Sequence, residues 1–155
     1  MIARIDRAKS GSERFDFVSD FVAQAINQSD SAPGEVLKWS LQMDLQRIIN
    51  RDYETAISSL CQSVHETQSA AAYLLLAEAH SQAGQIDMAL VTVDVLKYVF
   101  PELPEADMMK GLLLREKGDH AEARKCLQDA VKEQPTLRIA WKELIDMALD
   151  QGKTY

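Results

Sequence analysis

Apolar residues recur along most of the chain at steps of three and four, the spacing of one face of an α-helix. Leu37, Leu41, Leu45 and Ile48 form one such stripe, and Ile57, Leu60, Cys61 and Val64 form the next. The pattern predicts helices over about 35–50, from about Asp52 onward, and over about 70–83, 86–99, 105–117, 120–133 and 137–151. Nearer the start, Ser10-Gly11-Ser12-Glu13 fits a capping box, with Ser10 as N-cap and Glu13 reaching back. Phe15, Val18, Phe21, Val22, Ala25 and Ile26 then make an apolar face. Asn27 to Gly34, rich in Ser, Asp, Pro and Gly, reads as a loop. The expectation is an all-α chain of about eight helices: one N-terminal helix, three pairs and a closing helix.

The helices repeat. Gly84, Gly118 and Gly152 stand 34 residues apart, as do Ala89 and Ala123, and Pro101 and Pro135. Each residue type has a physical reason to recur. Glycine suits the left-handed residue that ends a helix. Small residues at Ala77, Ala89, Gly111 and Ala123 let two helices approach closely. Proline cannot continue a helix, so Pro101 and Pro135 close the second helix of a pair. An earlier unit is degenerate: Ala56 precedes Ala89 by 33 residues, Asn50-Arg51 replaces the glycine, and no proline closes it.

A 34-residue step of this kind resembles the tetratricopeptide repeat, whose pattern runs W-x2-L-G-x2-Y, then A-x3-F, then P. Residues 70–103 offer Tyr73, Leu76, Ala77 and His80, then Ala89, Val93 and Pro101. Residues 104–137 offer Gly111, Leu114, Ala123, Leu127, Ala130 and Pro135, but depart from the pattern at Asp107 and Lys110. Residues 138–152 offer Trp141, Leu144, Ala148 and Gly152. The resulting division is 1–34 as an N-terminal capping helix and loop, then repeats over 36–68 (degenerate), 70–103 and 104–137, with 138–152 as a closing helix or partial repeat. Whether the chain continues in its native form past Tyr155 stays open on these residues. The resemblance implies an α-solenoid, a right-handed superhelix of antiparallel helix pairs with a concave inner face.

Composition narrows the function. Of 155 residues, 46% are hydrophobic and 26% charged, which argues against disorder. A net charge of −7 repels phosphate backbones and anionic membranes, so nucleic-acid binding is not expected. A local basic cluster stands at Arg4, Arg7 and Lys9. No apolar leader is visible and no stretch is long enough to span a membrane, so a cytoplasmic location is expected. Cys61 and Cys126 fall in apolar-periodic helices and read as buried or half-buried thiols.

No catalytic constellation stands out. His80 and His120 occupy packing positions of the repeat, and His65 lies at a helix end, where it can bond free carbonyls. No phosphate loop, nucleophile elbow or paired metal ligands occur. Asp119/Glu122 and Asp146/Asp150 read as surface charges. The chain is not expected to be an enzyme or to use a cofactor or metal.

Function is therefore expected at a partner surface. In the family that this chain resembles, ligands touch the inner side of the first helix of each repeat. Carried over by position, these residues are Leu74, Glu78, Ser81 and Gln82, then Glu105, Met108, Met109, Leu112, Arg115 and Glu116, and in the closing helix Lys142 and Asp146. Relatives that clamp the acidic C-termini of heat-shock chaperones use Lys, Asn and Arg, whereas Leu74, Glu78, Glu105 and Met109 stand at those positions here. That partner class is excluded. The reading is a protein-interaction scaffold that binds a peptide or partner helix in its groove, as part of a larger protein or complex. The alternative is a stand-alone chaperone of the type III secretion translocator class, similar in size, charge and repeat number. Self-association as a homodimer through an end face near Gly152–Tyr155 is a further expectation.

Overall fold

The computed structural model describes residues 2–28 and 32–152, with side chains described for 13–27 and 36–150. Eight helices and no strand occur among these residues: α1 (Ile2–Gln28), α2 (Ala32–Ile49), α3 (Tyr53–Glu66), α4 (Ala70–Gln82), α5 (Ile86–Val99), α6 (Pro104–Lys117), α7 (His120–Glu133) and α8 (Arg138–Gly152). They fall into two units, one up to Thr92 and one from Val93.

Three turns repeat the same hydrogen bonding. The amide of Arg51 donates to Ile48 and that of Asp52 to Arg47; Gly84 donates to Ser81 and Gln85 to His80; Gly118 donates to Arg115 and Asp119 to Leu114. The second bond of each pair, which reaches back five residues, closes the Schellman ring that satisfies a helix's last carbonyls. Gly84 and Gly118 take φ of 84° and 102°, and Arg51 takes 66° in the same position. The degenerate first repeat thus makes the same turn with a residue that pays for its Cβ.

In the first unit, α4 is the central element. Every residue from Ala71 to Ser81 is buried. Ser69 caps the helix, its hydroxyl accepting from the Ala72 amide at 3.4 Å. α3 packs on one side through Ala56 and Leu60, and α1 packs on another through Val18, Val22 and Ile26. α1 does not begin at Ser10. It runs through Ser10–Glu13, so no capping box forms. Extending a helix across one glycine costs about 1 kcal/mol, whereas a new start repeats the unfavourable nucleation step. α2 begins at Ala32 with Pro33 in its first turn, where no amide is missed.

In the second unit, α6 lies against α7 at Gly111. A Cβ there would fall 2.7 Å from Leu127 Cγ and 3.1 Å from the Ala123 carbonyl oxygen. This is the close approach that the small residues predict. Pro104 starts α6 at its first position. Asp107 and Lys110, which break the repeat pattern, have a joint explanation. Lys97 of α5 pairs with Asp107 at 2.5 Å, and Lys110 pairs with Asp94 of α5 at 2.9 Å. The two pairs run in opposite senses between the same helices. Each carboxylate raises the pKa of its lysine.

Cys126 is buried, and burial pushes its thiol pKa up, which keeps it unreactive. Cys61 is exposed instead of packed, because α3 turns Ala56 and Leu60 inward and Cys61 lies a residue round the helix from Leu60. His80 is buried and bonds Gln85 through Nδ1 at 2.9 Å. His120 is exposed at the first position of α7. Arg4, Arg7 and Lys9 lie on α1, before the residues whose side chains are described, and Lys153 to Tyr155 lie outside the described residues.

Candidate functional site

The twelve candidate groove residues divide by environment. Leu74, Glu78, Ser81, Met108, Met109 and Leu112 are buried. Gln82, Glu105, Arg115 and Asp146 are half-buried, and Glu116 and Lys142 are exposed. The adjacent Met108 and Met109 are both fully buried.

In the first unit, α1 packs on α4 and reaches Glu78 among these residues. The Nε of Arg14, on α1, donates to Oε2 of Glu78 at 2.6 Å, with side-chain exposures of 4% and 0%. The other Glu78 oxygen accepts from Gln82 Nε2 at 2.9 Å. Arg14, Val18, Val22 and Ile26 recur at four-residue steps and are all buried, so one stripe of α1 serves both the ion pair and the apolar contact. A charge this deep is tolerated only when it is paired. The Ser81 hydroxyl is buried with no hydrogen-bond partner among the described residues.

Beside this contact an open cleft of about 560 Å³ is lined by Phe15, Ile48, Ile49, Arg51, Tyr53 and Gln82. The Tyr53 hydroxyl donates to Gln82 Oε1 at 3.3 Å. The left-handed turn at Arg51 brings a cation to a cleft whose other lining residues are mostly apolar or aromatic. Sequence reasoning reached Gln82 alone of the six. Asn50-Arg51 marked the turn, but nothing in the sequence brings Phe15 of α1 to the cleft.

In the second unit, Arg115 joins α6 to α8. One guanidinium nitrogen pairs with buried Glu143, and another lies 3.4 Å from Asp150. Arg115 therefore positions one first-of-pair helix on the next. Glu116 stands exposed one residue later. The Trp141 indole donates to the Pro135 carbonyl at 2.8 Å, which ties α8 to the turn before it.

Among the described residues no cluster of three or more His, Cys, Asp or Glu side chains is placed to hold a metal ion. No helix among them is long and apolar enough to cross a membrane.

The tetratricopeptide-repeat family pattern matches residues 106–137, the stretch that holds the Gly111 contact and the Gly118 turn. That stretch is a tetratricopeptide repeat by sequence. Solved structures of that kind share its fold at low identity. The first tetratricopeptide domain of human RPAP3, determined by NMR, is 13% identical, covers 74% of this chain and 91% of its own, and gives a TM-score of 0.67. MamA AMB-1 is 14% identical over 96% of this chain and 84% of its own, with a TM-score of 0.57. A point mutant of MamA is 14% identical over 97% and 90%, with a TM-score of 0.56. No curated protein matches in sequence. At these identities the likeness concerns the all-α solenoid fold.

Proposed function

We propose that the chain holds a partner protein by taking a helix or an extended peptide on the inner sides of its first-of-pair helices. Tetratricopeptide repeats are in general protein-interaction modules, and stacked repeats present extended binding surfaces. The observation that carries the finer reading is α1. It is an amphipathic helix seated on the expected ligand positions of α4, with a charged anchor at Glu78 and an apolar stripe beside it. A surface that accepts a helix from its own chain has the shape and chemistry to accept one from another, by the helix-in-groove mode. The sites open to a partner are the Arg51–Gln82 cleft in the first unit and the Glu105–Glu116 side of α6 in the second. Leu74 and Leu112 are buried, so substitutions there would test folding before binding.

The alternative of a type III translocator chaperone rests on size, charge and repeat number, and stands second. The test is affinity capture with the full chain, its Gln82→Arg and Glu116→Arg variants, and Lys125→Glu on α7 as a control. The reading expects partners to be lost with either of the first two and kept with the third. Folded variants at Gln82 and Glu116 that retain every wild-type partner would overturn it.

A further inference from the structure

The turn between α2 and α3 keeps a side chain where its sister turns have none. Gly84 and Gly118 make the same left-handed turn, and a Cβ at either would meet nothing within 4 Å. The turn itself therefore needs no side chain, and an L-residue takes this conformation at a cost. Arg51 nevertheless stands there, at φ 66°, and is exposed. Among the described residues its guanidinium forms no ion pair or hydrogen bond, not even with Asp52 or Glu54, the exposed acids next to it in sequence. Strain kept at one of three equivalent turns points to a use for the side chain.

Arg51 is the one charged residue among the described residues that line the open cleft of about 560 Å³. Ile48 is fully buried there, Phe15 is half-buried and Ile49 is 53% exposed, so the apolar wall is partly open to solvent. The polar groups opposite are already engaged. Gln82 donates to Glu78 and accepts from the Tyr53 hydroxyl. Arg51 is thus the lining residue with free donors, and a guanidinium bonds a carboxylate best where water is displaced by apolar groups. A net charge of −7 opposes a long acidic run. One carboxylate against Arg51 answers chiefly to that nearest charge, because physiological salt screens charges beyond about 8 Å.

We infer that this cleft takes a partner segment that carries one large apolar side chain with a single Asp or Glu beside it. The apolar group rests on Phe15, Ile48 and Ile49, and the carboxylate meets Arg51. A lone cation in an open cleft suits a side-chain carboxylate on a chain that continues past it. The inference rests on the reading that the cleft is a partner site, and it gives that site a specificity. Gln82→Arg breaks the bonds to Glu78 and Tyr53 as well as adding a charge, so Arg51 is the position that reads the carboxylate.

Selection of phage-displayed random linear peptides on the full chain tests this. The expected binders carry Leu, Phe or Trp with an Asp or Glu about two to four positions away, the spacings that put two side chains on one face of a strand or a helix. The strongest binder, synthesised with both ends blocked, is then measured by fluorescence polarisation. Arg51→Gly should weaken it about tenfold or more, the worth of one charge-assisted hydrogen bond, while the melting temperature does not fall. Arg51→Glu should weaken it further, and Lys in place of the peptide's acid should restore binding to that variant. Binders without acids, binding that needs a free C-terminus, equal affinity for wild type and Arg51→Gly, or no restoration by the Lys peptide would overturn the inference. If such a peptide is still lost with Glu116→Arg, the cleft chemistry fails alone and the partner reading stands. If no peptide is selected, or none responds to Arg51, Gln82 or Glu116, both fail.

Discussion

The ion pair between Arg14 and Glu78 gives the sharpest test of how α1 sits on α4. Glu78→Gln keeps the shape of the side chain and removes only its charge, which leaves the Arg14 guanidinium in a site where it is 4% exposed. Breaking one side of a buried pair costs about 3–5 kcal/mol, because the remaining charge is desolvated. That is a large share of the roughly 5–15 kcal/mol that holds a domain of this size together. At about 2–4 °C per kcal/mol, the melting temperature should fall by roughly 6–20 °C. Arg14→Met removes the other half of the pair and leaves Glu78 its bond from Gln82. The double variant Arg14→Met/Glu78→Leu, with no charge left to bury, should be much more stable than the sum of the two losses predicts. The assay is urea unfolding of the wild type, both singles and the double as a mutant cycle, with hydrogen exchange reporting α1 and α4 separately. A Glu78→Gln cost under about 1 kcal/mol, the value of a solvent-exposed pair, would refute a buried anchor for α1.

Three further substitutions probe the repeats themselves. Gly111→Ala should destabilise by up to about 2 kcal/mol, because overpacking against Leu127 costs about 1–3 kcal/mol and alanine's helix propensity returns about 1. A gain in urea midpoint would mean that α7 yields without cost. Arg51→Gly should stabilise by somewhat under 1 kcal/mol, since it relieves the left-handed strain at φ 66° while adding freedom to the unfolded chain; thermal melts that show a loss would contradict this. Asp44 is buried, and burial raises its carboxyl pKa, opposed by hydrogen bonds from Ser59 and Arg47. A carboxyl whose folded pKa is raised binds its proton more tightly when folded, so its contribution to stability is greatest below the unfolded value of about 3.9 and declines as pH rises through the folded value. Asp44→Asn should flatten that part of the stability profile, measured by denaturant unfolding between about pH 3 and 7; an unchanged slope would show that Asp44 does not contribute.

The repeat was legible in the sequence because its devices are local. Gly84, Gly118, Pro104 and the small residues at Ala77 and Gly111 act within one turn or one helix pair. Helices α4 to α8 accordingly lie within a residue or so of their expected spans. What escaped was set by contacts between distant segments. Nothing near Arg14 announces Glu78, 64 residues away. The two departures from the family pattern, Asp107 and Lys110, were visible as departures, but their partners on α5 became clear only with the helices side by side. Exposure of the candidate groove escaped for the same reason. The position of Leu74 or Glu78 in the repeat is a property of sequence, whereas its burial depends on α1, which belongs to no repeat. Cys61 and His120 were misjudged as packed because a helical period gives the spacing of a stripe but not its exact edge.

The central claim is that a partner protein is held by the first-of-pair helices α4 and α6. Hydrogen exchange on the chain with and without a captured partner tests it most directly. The account predicts added protection in α4 or α6, around Gln82 and Glu116, with the second-of-pair helices α3 and α7 unchanged. Protection confined to α3 and α7, with α4 and α6 unaltered, would contradict it.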